Sequence, residues 1–189
     1  MKLHYAGKYS GNPDDIPCME HEPGAVAFKE APDAKSLGRI ANTVSVIILI
    51  VCYALACLRV HGIFIDYLGV VLYLLTIIPH EFLHAICFKD DVYLFQDLKH
   101  GMLFVTGPER MSKARFVFLS LLPNIVFGLI PYIIFMINPE LTTLGMLGVL
   151  CLASGAGDYY NVCNALTQMP KGAWAYGHKF STYWYMPKK

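Results

Sequence analysis

Four long stretches of the chain are almost free of polar side chains, and their few polar interruptions fall at particular places. Ile40 to Leu58 carries no charge and is long enough to cross a bilayer as a helix. Ile63 to Phe88 is a second run, with Asp66 near one end and Lys89 beyond the other. Phe116 to Ile137 is a third, interrupted by Ser120 and Asn124. Leu141 to Gly157 begins a fourth. It ends in Ser154-Gly155-Ala156-Gly157-Asp158 and continues as a polar stretch through Asn161 and Asn164. The small residues there suit close helix approach.

The segments between and around these runs are of other kinds. Residues 1–39 mix acids, bases, Gly and Pro, which predicts an extended or poorly ordered segment with a short strand near Ala25 to Phe28. Residues 89–115 leave the hydrocarbon. There the β-prone runs Val92 to Phe95 and Met102 to Val105 flank Asp97-Leu98-Lys99-His100-Gly101. They read as an interfacial hairpin whose edge suits an added peptide strand, or as an ordinary connecting loop. The tail, 170–189, sets Trp174, Tyr176, Phe180, Tyr183, Trp184 and Tyr185 among lysines. That mixture favours the membrane interface, with core packing or a strand beside the hairpin as alternatives.

The expected fold is therefore an all-α membrane protein: four transmembrane helices with a small interfacial β-hairpin between the second and third. Residues 40–169 form the helical domain, 1–39 a cytoplasmic N-terminal segment and 170–189 a cytoplasmic tail. Composition agrees. The 189 residues suit one domain, and 56% are hydrophobic against 15% charged. Mean hydropathy is +0.45. A net charge of +1 offers no basic field for nucleic acid. Residues before Ile40 lack the apolar core of a cleavable signal, so the first helix is expected to act as an uncleaved anchor. Cys52, Cys57, Cys87, Cys151 and Cys163 sit in or beside apolar runs without a C-x-x-C pair, and read as small buried hydrophobes. Lys and Arg gather in the N-terminal segment, the 89–115 loop and the tail, which predicts both termini in the cytoplasm.

One cluster inside the second run changes the picture. Pro79-His80-Glu81-Phe82-Leu83-His84 reads H-E-x-x-H within apolar surroundings, where ionisable groups are costly and mark function. On a helix His80 and His84 share a face, and both imidazoles reach one metal ion. Glu81 lies one step round the turn, in reach of a water on that ion. Pro79 removes one helical hydrogen bond and is expected to kink the helix before His80.

Depth supplies the third ligand. His84 lies about 6 Å inside the end of its run, counting back from Phe88. Asp158 lies about 26 Å along a core of roughly 30 Å, counting from Leu141. Asn124 is about 12 Å from the same side. A catalytic zinc commonly takes three protein ligands and keeps one position open, so Asp158 is the expected partner of His80 and His84. Glu109, Asp97 and His100 are the rivals from the loop. Glu81 would then be the general base for hydrolysis of a carbonyl polarised by Zn2+. Asn124 would hold the substrate backbone or the developing oxyanion, or else pin helices together.

The H-E-F-L-H in a membrane helix, the following loop, another span and a later carboxylate resemble the site-2 protease type of intramembrane metalloprotease. More narrowly, residues 65–185 resemble the small multi-pass family labelled "putative zincin peptidase". Gly157-Asp158 reverses the Asp-Gly order usual at the third ligand, and only Pro123-Asn124 stands near the place of the substrate-binding Asn motif. The resemblance implies zinc-dependent cleavage of a peptide or transmembrane protein substrate in or beside the lipid bilayer. His80, His84 and Asp158 would be ligands and Glu81 the catalytic base. A non-catalytic membrane protein with a structural or vestigial zinc site is the alternative. A metal transporter is a third reading, one that would need a second set of midplane ligands.

Overall fold

The computed structural model describes residues 2–97, 102–179 and 181–187. Helix α1, Ala34–Val60, starts where the Asp33 carboxylate accepts the Ser36 N–H at 2.7 Å, an N-cap that satisfies a donor no helical carbonyl can reach. Helix α2, Tyr67–Ala85, begins at Asp66. This carboxylate accepts from the Gly69 N–H at 2.9 Å and from the hydroxyls of Thr142 and Thr143 at 2.8 and 3.0 Å. One side chain therefore ties the start of α2 to the start of α5, Thr142–Ser154. Helix α2 continues through Pro79, whose missing N–H leaves the Leu75 carbonyl without its intrahelical donor.

The third apolar run is one rod of three parts. Helix α3, Lys113–Pro123, passes into a π-helical turn, Asn124–Leu129, and then into α4, Ile130–Ile137. Pro131 brings no N–H to the ladder just past that turn, so its neighbours must pair in another pattern. Helix α5 lies against α1, α2, α4 and the π turn. Its glycines permit this: a Cβ at Gly148 would meet the Tyr132 backbone at 2.7 Å.

The fourth run differs from the expected span. Helix α5 stops at Ser154, and α6, Ala156–Gln168, starts after a break at Gly155. Thirteen residues rise about 20 Å, short of a hydrocarbon core, so α5 alone does not make a fourth crossing. Three helical stretches, Lys35–Val60, Tyr67–Ala85 and Lys113–Ile137, are long and apolar enough to cross a membrane. Large apolar side chains such as Ile47, Ile50, Leu58, Leu74 and Ile78 are exposed along α1 and α2. An apolar belt of this extent is consistent with a membrane protein.

The all-α expectation is corrected. The chain is mostly helical, but it carries two sheets. The first has the order β1-β3-β4, with β1 Leu3–Lys8, β3 Val92–Asp97 and β4 Met102–Thr106. Strands β3 and β4 form the expected hairpin, with Phe95 opposite Phe104; residues 98–101 of its turn, including Lys99 and His100, lie outside the described residues. Strand β1 runs parallel to β3, so the N-terminal segment is ordered by pairing that its own composition did not announce. The second sheet has the order β2-β7-β6-β5, from Val26–Ala27, Ser181–Tyr185, Trp174–His178 and Met111–Ser112. The aromatic tail thus folds as its own hairpin and pairs with residues from the other end of the chain, not with β3–β4.

Candidate metal centre

Helical spacing brings the two imidazoles together, with their Nε2 atoms 3.2 Å apart. His84 Nδ1 lies 2.9 Å from the Leu119 carbonyl oxygen on α3. That oxygen can only accept, so Nδ1 carries a proton, and Nε2 is the nitrogen that would bind an ion. Asp158, in the first turn of α6, reaches both rings. Its Oδ2 is 3.3 Å from His80 Nε2, and its Oδ1 is 3.2 Å from His84 Nε2.

These separations test the fit of a metal. Donors about 2.0–2.1 Å from a tetrahedral ion lie roughly 3.3 Å from one another. The two nitrogens and the carboxylate have that spacing. Neutral imidazole nitrogen and carboxylate oxygen are also the donor types zinc accepts, so the residues fit the ion. His80, Glu81 and His84 form a further group whose ligand atoms lie within 4.8 Å of one another, which places Glu81 beside the centre. The Glu81 carboxylate receives a backbone hydrogen bond from Val105 on β4.

Behind Asp158 stands a line of positioning contacts. Asn124 Nδ2 donates to Asp158 Oδ2 at 2.7 Å and to the Ser120 carbonyl at 3.3 Å. Tyr159 donates to the Leu152 carbonyl at 3.0 Å and approaches Asn124 Oδ1 at 3.5 Å. Asn124 is buried and is not part of the cavity wall. Its amide nitrogen faces the Asp158 carboxylate. Gly155 makes room for it, because a Cβ there would overlap the Asn124 amide. Gly157, by contrast, has open space where a Cβ would stand.

The loop rivals are engaged elsewhere. Glu109 accepts from the Lys89 N–H at 2.6 Å and pairs with Arg115, whose Nε also donates to the Cys87 carbonyl at 2.9 Å. Burial alone would raise the Glu109 pKa, but Arg115 and the N–H groups of Lys89 and Asp90 hold it below the usual value. This buried pair secures the exit of α2 just past His84. Asp97 ends β3, on the hairpin rather than at the imidazoles.

A cavity of about 540 Å3 opens onto the centre. His80, Glu81, His84 and Asp158 form part of its wall, and residues 103–106 of β4 form another part. Sequence reasoning missed Leu119, Tyr159 and Val105. A backbone carbonyl or N–H leaves no signal in the residue that bears it, and Tyr159 stands beside Asp158 as one aromatic among many.

An H-E-x-x-H helix with a carboxylate closing the imidazole pair is an arrangement of the zincin-type metallopeptidases. The chain belongs to the family DUF3267, described as "Putative zincin peptidase", whose profile matches residues 73–174, just over half its length. The matched range holds His80, Glu81, His84, Asn124 and Asp158. Among curated proteins and among solved structures, nothing matches.

Proposed function

We propose that this chain is a membrane-embedded zinc metallopeptidase that hydrolyses a peptide bond in or next to the bilayer, in the manner of site-2 proteases. The observation that carries this reading is the spacing at the centre: a carboxylate from α6 meets both imidazoles of α2 at 3.2 and 3.3 Å. His80, His84 and Asp158 hold the ion. A bound zinc supplies Lewis acidity toward the scissile carbonyl. Glu81 takes a proton from the attacking water as its oxygen bonds to the carbonyl carbon. It returns that proton to the nitrogen as the C–N bond breaks, giving a free amine and a new carboxyl terminus. Asn124 orients Asp158, and the Leu119 carbonyl orients His84.

The edge of β4 gives the substrate a place to lie. The Gln96 carbonyl bonds Tyr9 on the β1 side, and Val105 donates to Glu81. The pairs Gln96–Leu103 and Leu94–Val105 are therefore the non-hydrogen-bonded kind, with Leu103 directing its N–H and carbonyl away from β3. An extended peptide added to that edge would run beside Glu81.

Strand pairing supports four crossings. Strand β2 precedes α1 and β7 follows α6, yet the two are hydrogen-bonded, which favours both ends on one side of the bilayer and an even number of crossings. Three helices are long enough alone. The broken pair α5–α6 makes the return, and the distribution of Lys and Arg puts both ends in the cytoplasm.

Metal analysis of the purified chain tests the centre. The wild type and Glu81→Gln are expected to retain about one zinc per chain, and His80→Ala and Asp158→Ala to lose it. Full zinc in Asp158→Ala would remove the third ligand. Cleavage surviving in Glu81→Gln would remove the general base.

A further inference from the structure

One charged group on the cavity wall has no part in holding the ion. Glu30 lies in the segment between β2 and α1 and lines the same cavity as His80, Glu81 and Asp158. Its Oε1 accepts the backbone N–H of Thr182 on β7 at 2.6 Å. The next residue, Ala31, donates its N–H to the Tyr160 hydroxyl at 2.8 Å. Tyr160 belongs to α6, the helix that carries Asp158, so the segment bearing Glu30 is anchored to that helix.

Among the described residues no cation pairs with Glu30. Lys179 also lines the cavity, but it is paired with Asp14 at 2.6 Å. Glu30 is half-buried, and its pKa is pushed up by that burial despite the hydrogen bonds from Thr182. A partly desolvated carboxylate without a counter-charge is costly. Its structural bond needs only an acceptor, which a neutral Gln would supply at lower cost.

We propose that Glu30 forms an anionic subsite of the cavity that takes an ammonium or guanidinium group of the peptide substrate. The inference rests on the peptidase reading above. The cation has two possible sources of one chemistry, a Lys or Arg side chain near the scissile bond or a free amino terminus.

The test uses the full chain, zinc-loaded in detergent micelles, with tripeptide hydroxamates of alanine and leucine as probes. The hydroxamate itself chelates zinc. One series places lysine at each position in turn, with the side-chain amine free or acetylated. The other has a free or an acetylated amino terminus. In the wild type at least one free amine is expected to bind about tenfold tighter than its acetylated partner, the size of one charge-assisted hydrogen bond. In Glu30→Gln, which keeps the acceptor for Thr182, that ratio should fall to about one with zinc content unchanged. A response in the lysine series assigns an internal basic residue, and one in the terminal series assigns a free amino terminus. A ratio near one in the wild type, or one that persists in Glu30→Gln, overturns the proposal. Failure of every hydroxamate to bind a zinc-loaded chain overturns the peptidase reading itself, and the subsite with it.

Discussion

His84 is fixed at both ring nitrogens. Its Nδ1 donates to the Leu119 carbonyl at 2.9 Å, which turns Nε2 toward His80 and Asp158. Asp158 is fixed in the same way from behind, by Asn124 at 2.7 Å. Losing that donor would free one carboxylate oxygen to rotate away from the two imidazoles. Asn124→Ala is therefore expected to weaken zinc affinity about 10- to 100-fold, measured by competition with a fluorescent chelator. Unchanged affinity would leave Asn124 as a packing residue beside Gly155. At this scale the local part was legible. Four-residue spacing puts His80 and His84 on one face whatever surrounds them, and depth along two helices pointed to Asp158. Which way the Asn124 amide faces was not legible. That direction is set by Asp158 and Gly155, which lie on a different part of the chain.

Among the elements, β4 is the one whose free edge bears on the chemistry. Leu103 lines the cavity and turns its N–H away from β3, outside the ladder. Leu103→Pro removes that donor while sparing the hairpin, since proline is tolerated on the open side of an edge strand. Zinc content should stay at the wild-type level while affinity for a tripeptide hydroxamate falls about tenfold, measured by calorimetry. Equal affinity would show that substrate does not pair with β4. The β3–β4 hairpin was readable because two β-prone runs flank a turn-rich stretch within a short loop. Strand β1 was not, because Leu3–Lys8 is held by β3, nearly ninety residues away, and parallel pairing of that kind leaves no local signature. Helix α6 was read as the continuation of a span. The break falls at Gly155, where the Asn124 amide occupies the space a Cβ would need.

For the whole molecule, the two sheets join segments from both ends of the chain. Strand β1 pairs with β3 across α1 and α2, β5 with β6 across α3 to α6, and β2 with β7 across all the helices. On the four-crossing proposal, each pairing has the intervening helices return to the side they left. Fluorescent reporters fused to either end of the chain are expected to lie on the same, cytoplasmic face, as judged by protease protection in sealed vesicles. Reporters on opposite faces would contradict either the β2–β7 pairing or the passage of α5–α6 through the bilayer. The same closure brings Glu30, from before α1, and Thr182, from after α6, to one wall of the cavity.

What the sequence determined by itself were properties that one element carries alone. They are the three apolar helices, the imidazole pair with its glutamate, and the hairpin after them, each following from spacing or composition over a few turns of chain. The tertiary structure decided whatever needs two distant segments at once: the strands at both ends of the chain, the break between α5 and α6, and the facing of Asn124 and Glu30. The physical reason is the range of the forces involved. Hydrophobic periodicity and helix capping act within a few residues and are written locally. A hydrogen bond between Asp158 and Asn124, or between Glu30 and Thr182, exists only once folding has brought together groups 34 and 152 residues apart.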